Sequence, residues 1–159
     1  MSKEFRIQRR YLEGLVRWLQ TQPLPGSLSA SRTKFVAPLI GSVNEGDAKR
    51  VEVIAKYANK DKNGELVQVV GVDGKRTYDV SQDKMNSLNE EYNKYLDGDF
   101  VMEINDLNRG DIDKVKDFVL NSPYLFGASE SDPENVKMSK VSLAVAYAQW
   151  RDVFSQLSL

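Results

Sequence analysis

The chain has 159 residues, of which 41% are hydrophobic and 28% charged, and its formal net charge is -1. This composition is that of a folded globular protein and lies outside the disordered range. The chain contains neither cysteine nor histidine, which excludes disulfides, thiolate catalysis, Ser-His-Asp catalysis and histidine metal ligation. We therefore expect a single domain over residues 1–159 that needs no cofactor and no metal.

No apolar run reaches the roughly 20 residues of a membrane span, and the N-terminus lacks the apolar core of a signal peptide. We expect no membrane association and a cytosolic location. Residues 1–50 carry nine Lys/Arg against four Asp/Glu. That excess is smaller than the basic footprint of nucleic-acid binders, so an ordinary mixed surface is favoured over an anion-binding face and nucleic acid is not an expected partner.

The first predicted helix lies in FRIQRRYLEGLVRWLQ. Its apolar residues follow the i, i+3, i+4, i+7 spacing of a buried stripe, namely Leu12, Leu15, Val16 and Leu19. The FRI segment alternates and fits a short edge strand equally well. Two prolines and a glycine in QPLPGSLSAS then end the helix.

A second helix is predicted to begin in SRTKFVAPLI and to bend or break at Pro38. GSVNEGD reads as a turn, after which AKRVEVIAKYA is typical of a third helix. The expected buried face of that helix holds Val51, Ile54, Ala55 and Ala58.

Asp73 and Gly74, flanked by β-branched residues, are typical of a two-residue hairpin turn. The strands are predicted near residues 65–72 and 75–80. GDFVMEI is a further strand candidate that could add to this hairpin.

Three segments return to helical spacing. SQDKMNSLNEEYNKYL has Ser81 as its expected cap and an apolar stripe of Met85, Leu88, Tyr92, Tyr95 and Leu96. IDKVKDFVL is expected to be capped by Asp111, to end at Pro123 and to bury Ile112, Val115, Phe118 and Val119. The last helix, VKMSKVSLAVAYAQWRDVFSQL, has a predicted apolar stripe of Val141, Leu143, Ala144, Val145, Ala148 and Phe154. The fold class is therefore α+β, mainly helical, with about five helices and a two- or three-stranded antiparallel sheet.

The segment YANKDKNGEL resembles the opening of a calcium-binding loop, because Asn59, Asp61 and Asn63 alternate. Gly64 follows at the correct place. The twelfth loop position, however, is Val70 instead of a bidentate glutamate, and a strand is expected where a second helix should stand. We favour a helix-ending turn over a metal site.

The chemistry of any anion site would come from the N-terminal third. Guanidinium groups bind phosphate bidentately and an indole can stack on a base, as in nucleotide recognition. The candidate residues are Arg9, Arg10, Arg17, Trp18, Arg32 and Lys34. Aromatic residues at such helical spacing are also typical of a core, which is the alternative for Trp18, Trp150, Tyr11 and Tyr147.

The acidic residues offer a third possibility, a Mg²⁺-dependent enzyme of carboxylates alone. Glu90 and Glu91 are adjacent on a helix and point about 100° apart, so they do not converge. The others form a polar loop that is expected to be solvated, with Glu130, Asp132 and Glu134.

Four phrases stand in a characteristic order: SASRTKFVAPLI, KYANKDKNGE, TYDVSQDKM and LNEEYNKYL. In this order the chain resembles small uncharacterised proteins of tailed bacteriophages over about residues 10–105. The resemblance implies a viral accessory or structural protein of α+β fold, with no catalytic residues to transfer.

Taken with the missing catalytic motifs, this resemblance predicts a non-enzymatic binding protein that acts stoichiometrically on a host or viral protein, or on a small anionic ligand such as a nucleotide. Its sharpest form is an inhibitor or sequestering factor against a host defence component, in the cytoplasm of an infected bacterium. The alternative is a virion structural or assembly protein of the tail, connector or decoration type. In that case the small residues Ala144, Ala146 and Ala148 would support a homo-oligomer.

Overall fold

A computed structural model describes the backbone of residues 3–122 and 133–159, and their side chains except those of 134–142. The described residues form five α-helices and two antiparallel sheets of two strands each, which confirms the predicted α+β, mainly helical class. In chain order the elements are β1 (Glu4–Gln8), a 3-10 turn (Arg9–Tyr11), α1 (Leu12–Thr21), α2 (Gly26–Tyr57), β2 (Gln68–Val70), β3 (Arg76–Tyr78), α3 (Gln82–Asp97), β4 (Asp99–Glu103), α4 (Arg109–Asn121) and α5 (Glu134–Ser155).

The chain divides into two compact units. Unit 1 comprises Met1–Val43 and Asp99–Leu159, and unit 2 comprises Asn44–Gly98. Unit 1 is thus built from two separate stretches of sequence, whereas unit 2 is one continuous stretch.

The sheet of unit 1 pairs β1 with β4, from Glu4 opposite Glu103 to Gln8 opposite Asp99. The FRI segment is therefore a strand, and β4 joins it instead of adding to the hairpin. Phe5 on β1 is fully buried and its neighbours alternate between buried and exposed, because successive side chains of a strand point to opposite faces.

The core of unit 1 is apolar and rich in aromatic rings. The predicted stripe of α1 is confirmed, since Leu12, Leu15, Val16 and Leu19 are all buried. Around it lie Phe5, Ile7, Phe35, Leu39, Ile112, Val115, Val119, Trp150, Phe154 and Leu157. Phe5 contacts both Phe35 and Phe154 at centroid distances of 5.3 Å.

The apolar face of α5 differs from the predicted one. Leu143, Val145 and Ala148 are exposed, whereas Tyr147 and Trp150 are buried. The prediction was wrong for this face because α5 has apolar residues on several sides, and the large aromatic rings remove more surface from water than valine or alanine. Phe154 is buried as expected, Ala144 is half-buried, and the side chain of Val141 lies outside the described residues.

Helix α2 continues for 32 residues, with Pro38 inside it. The turn predicted at GSVNEGD is therefore wrong. A glycine in a helix costs only about 1 kcal/mol, so Gly41 and Gly46 do not end a helix that is anchored on both sides of them by buried Leu39 and Val53.

Helix α4 also differs from expectation in two details, its first residues and the burial of Phe118. Asn108, and not Asp111, is the residue before α4, so Asp111 lies in the first turn. There Asp111 accepts a 2.7 Å hydrogen bond from the buried hydroxyl of Ser31. Ile112, Val115 and Val119 are buried as predicted and Phe118 is half-buried, while Pro123 lies outside the described residues.

Candidate functional site

A concave surface with mainly apolar walls lies within unit 2. We call it the main groove; it has a volume of about 450 Å³, within the range of ligand-binding clefts. The end of α2, the β2–β3 hairpin and α3 form its walls. Its lining comprises Arg50, Val53, Ile54, Val69, Thr77, Tyr78, Asp79, Val80, Met85, Leu88, Asn89 and Tyr92.

A turn after α2 positions the hairpin wall, and it is the segment that resembles a calcium loop. Asp61 Oδ1 accepts the backbone N–H groups of Asn63 at 2.8 Å and Glu65 at 3.0 Å. Gly64 has φ +81°, a conformation that suits glycine. The carboxylate and the glycine thus hold a backbone turn, as predicted.

Asn59 fixes the base of the hairpin through three hydrogen bonds. Its N–H donates to the carbonyl of Asp79, its Nδ2 donates to Asp79 Oδ2, and its carbonyl accepts from Val67. Because residues 67 and 79 stand at the base of the two strands, these bonds place the hairpin directly at the end of α2.

The tip of the hairpin is a loop of three residues, Val72, Asp73 and Gly74, and not the predicted two. Gly71 donates to the carbonyl of Lys75, and Gly74 donates to that of Gly71. A two-residue Asp-Gly turn needs positive φ at both residues, but only Gly74, with φ +75°, has it. The predicted hairpin itself is confirmed, with shorter strands than expected.

Helix α3, the opposite wall, is attached to the end of α2 by Glu91. The carboxylate accepts two hydrogen bonds from Lys56 Nζ, at 2.8 and 3.0 Å, and one from the Tyr57 hydroxyl at 2.7 Å. The hydrogen bond from Lys56, and then that from Tyr57, lowers the pKa of Glu91 below its ordinary value. The same bonds raise the pKa of Lys56 and of Tyr57.

A second concavity, the side groove, adjoins the main groove. It has a volume of about 310 Å³ and is lined by Val51, Ile54, Gln68, Arg76, Thr77 and Tyr78. Ile54, Thr77 and Tyr78 line both grooves, so the two are neighbours along strand β3.

Each groove has one exposed arginine in its lining. Arg50 lines the main groove and Arg76 the side groove, and both are exposed. Neither forms an ion pair with any residue that the structure describes, whereas nearby Lys49, Lys56 and Lys75 pair with Glu52, Glu91 and Asp73. The grooves therefore combine apolar walls with two arginines that lack an ion-pair partner among the described residues; the carboxylate in the lining, that of Asp79, accepts a hydrogen bond from Asn59.

Unit 2 has little core of its own. Among its residues, all of which are described, only Val53, Ala58 and Leu88 are buried hydrophobic side chains. Four valines in the same unit have large exposed fractions, namely Val51 at 55%, Val69 at 39%, Val70 at 67% and Val72 at 113%. Val51 was predicted to face inward, and Val53 takes that place.

The structure gives the cations of the predicted anion site different surroundings. Arg17 pairs with Glu13 at 2.6 Å and Lys34 with Asp111 at 3.8 Å. Arg32 donates to the carbonyl of Leu19, in the last turn of α1, and to that of Gln22, the residue after the helix, and so closes the C-terminal end of α1. Arg9 and Arg10 lie in the 3-10 turn that precedes α1.

Trp18, the predicted stacking platform, is a core residue with 6% exposure. Its ring lies 5.6 Å from those of Phe118 and Trp150 and 5.5 Å from that of Tyr147. The indole faces are therefore covered by aromatic neighbours, which agrees with the core alternative.

The acidic candidates do not converge in the described part of the chain. Glu91 is engaged by Lys56 and Tyr57, and Glu90 is exposed. Glu130, Asp132 and the side chain of Glu134 lie outside the described residues. Over the described positions, no group of three or more acidic side chains has the geometry of a metal site.

The main groove was not predicted from sequence, although its residues were assigned to elements. Met85, Leu88 and Tyr92 were placed on an apolar stripe of α3, and Val69 on a strand. One signal for a groove was present in the sequence. A hairpin with so few residues has too little surface to cover the apolar faces of two helices.

Comparison with known proteins adds no assignment, since no protein family, curated protein or solved structure matches the chain. Among the helices that the structure describes, none is both long and apolar enough to cross a lipid bilayer.

Proposed function

We propose that the chain is a non-enzymatic binding protein that acts by stoichiometric contact, and that the main groove of unit 2 is its contact surface. The observation that supports this proposal is the imbalance within unit 2, which buries three hydrophobic side chains and leaves four valines exposed, of which Val69 lines the main groove and Val51 the side groove. Monomeric proteins seldom leave grouped apolar side chains exposed unless they serve an interaction. A bound partner would cover this surface and add the missing packing.

The sharper form of the proposal is an inhibitor or sequestering factor that a bacteriophage directs against a host defence component. It rests on the resemblance in residues 10–105. We favour a partner protein at the grooves over a nucleotide at the cations of unit 1, because Trp18 is enclosed in the core and Arg32 supports α1.

Two matched valine variants test the proposal. Val69→Glu places a charge in the main groove, and Val101→Glu places the same charge on β4 of unit 1, where the valine is 41% exposed against 39% for Val69. The tagged chain is incubated with bacterial lysate, and retained proteins are quantified by mass spectrometry. We expect a partner in a fixed ratio with the wild type and Val101→Glu, and at least a roughly tenfold loss with Val69→Glu.

Equal retention by both variants would place the contact surface elsewhere. Turnover of a substrate by the purified chain, abolished by EDTA, would contradict the non-enzymatic assignment and favour the carboxylate enzyme.

A second candidate, a virion assembly protein, is favoured by the exposed apolar positions of α5. Val145 is 55% exposed, and Ala148, three residues further along the same helix face, is exposed as well. If this face mediates self-association, light scattering will show an oligomer that Val145→Glu dissociates, and purified particles will contain the protein. A monomer at high concentration that is absent from particles would exclude this candidate.

A further inference from the structure

The open edge of strand β3 borders both grooves. Across the hairpin, the N–H of Gly71 donates to the carbonyl of Lys75, and the N–H of Asp79 donates to the carbonyl of Val67. These two pairs are therefore the hydrogen-bonded pairs at the two ends of the hairpin. Hydrogen-bonded and non-bonded pairs alternate in an antiparallel ladder. Arg76 and Tyr78 therefore direct their backbone N–H and C=O groups away from β2.

These outward groups remain open for pairing. Within the described chain, the backbone groups of Arg76 and Tyr78 form no hydrogen bond with any other element, and the sheet contains only two strands. An exposed sheet edge is a template onto which an extended segment can add as a further strand.

The side chains around this edge define what such a segment must contain. An added strand directs alternate side chains to one face, where pockets select them. The pockets here are the two apolar grooves that share Ile54, Thr77 and Tyr78. The rims present Arg50 and Arg76, which have no ion-pair partner among the described residues and which a carboxylate would complement.

We propose that the partner presents an extended segment in which apolar side chains alternate with carboxylates, and that this segment adds to the β3 edge of the hairpin. Its backbone pairs with Arg76 and Tyr78, its apolar side chains enter the main and side grooves, and its carboxylates meet Arg50 and Arg76. This inference rests on the proposed function and specifies the chemistry of the partner.

Synthetic peptides test it on the intact chain. One library, blocked at both ends, alternates apolar residues with glutamate, and a matched library has lysine in place of glutamate. We expect binding of the acidic library alone, with selected peptides weakened about tenfold by Arg50→Glu or Arg76→Glu. Lys114→Glu, an exposed charge reversal on α4, should bind as the wild type does.

The backbone part of the proposal has its own measurement. Hydrogen exchange by NMR should show slower exchange of the Arg76 and Tyr78 amides when a selected peptide is bound. Peptides N-methylated at the amides that face β3 should lose binding to the unchanged wild-type chain, which separates this effect from any misfolding of a variant.

Three results would overturn the inference: equal binding of the lysine library, undiminished binding of N-methylated peptides, or protection of the same amides by a dimer of this chain alone. If a lysate partner depends on Val69 while the peptides fail these tests, the proposed function stands and only the strand-addition mode is rejected.

Discussion

Trp150 limits the size of the side chain that can replace Gly14. This indole is fully buried, and its Nε1 donates to the carbonyl of Tyr11 at 3.0 Å, so the ring has little freedom to move. A Cβ added to Gly14 would lie 3.1 Å from the Cζ2 of Trp150. At Gly41, in contrast, nothing lies within 4 Å of an added Cβ.

We therefore expect Gly14→Ala and Gly41→Ala to have opposite effects. Alanine at Gly41 raises the free energy of unfolding by about 0.5–1 kcal/mol, because glycine loses more backbone entropy in a helix. At Gly14 the same gain is outweighed by overpacking against Trp150, which leaves a net loss of about 1 kcal/mol. Urea denaturation of both variants measures the difference, and stabilisation by Gly14→Ala would show that Trp150 can yield.

Glu91 makes the stability of unit 2 sensitive to acid. Lys56 and Tyr57 hold the pKa of Glu91 below its ordinary value in the folded state, so the unfolded state takes up the proton first. The stabilisation is therefore fully present above the ordinary glutamate pKa and is lost as the pH falls through the lower, folded-state pKa.

The variant Glu91→Gln should remove this contribution. We expect its free energy of unfolding to be below that of the wild type at neutral pH and to fall less on acidification. Glu90→Gln, at the exposed neighbouring position, should retain the acid sensitivity of the wild type. Denaturant midpoints at neutral and acidic pH test this, and parallel curves for the wild type and Glu91→Gln would contradict it.

The β2–β3 hairpin depends on the backbone conformation at Gly74. Its φ of +75° is costly for residues with a Cβ, by roughly 1–2 kcal/mol, although asparagine accepts it better than alanine. We expect Gly74→Ala to lower the stability of unit 2 by about that amount and Gly74→Asn by less. Amide exchange of Val69 and Thr77 measures it, and equal effects of the two substitutions would rule out backbone strain as the cause.

The sequence allowed the helices with a narrow apolar stripe to be predicted, as in α1, and it located the hairpin through Gly74. Prediction from the sequence failed where alternative local structures, or alternative buried faces of a helix, have similar energies. The apolar residues of α5 surround the helix, so the choice of Trp150 over Val145 for burial depends on tertiary packing. Gly41 and Gly46 permit either a turn or a helix, and only burial on both sides decides between them.

The candidate site could not be predicted from the sequence, for a related reason. Its chemistry lies in what remains uncovered, such as Val69 and the β3 edge, and no local pattern shows how much of an apolar face its neighbours will cover. The turn at Asp61 was predictable, because its hydrogen bonds are local.

The two units differ in how much apolar surface they bury, and this should appear in their dynamics. The core of unit 1 includes aromatic rings from β1, α1, α2 and α5, whereas unit 2 buries only Val53, Ala58 and Leu88 among its hydrophobic residues, all of which are described. Regions with few buried contacts open at lower free energy. We expect amides in β2–β3 to exchange faster than those in β1–β4 by about tenfold or more, and the reverse order would contradict this assignment.

The division of unit 1 into two stretches has a consequence for the order of synthesis. Glu4 pairs with Glu103, so the first strand leaves the ribosome long before its partner exists. Unit 2, whose residues Asn44–Gly98 are contiguous, is complete before β4 is made. Since translation proceeds at about 5–20 residues per second, the first strand waits several seconds for its partner. The hairpin is therefore synthesised before residues 99–159, which complete the core of unit 1.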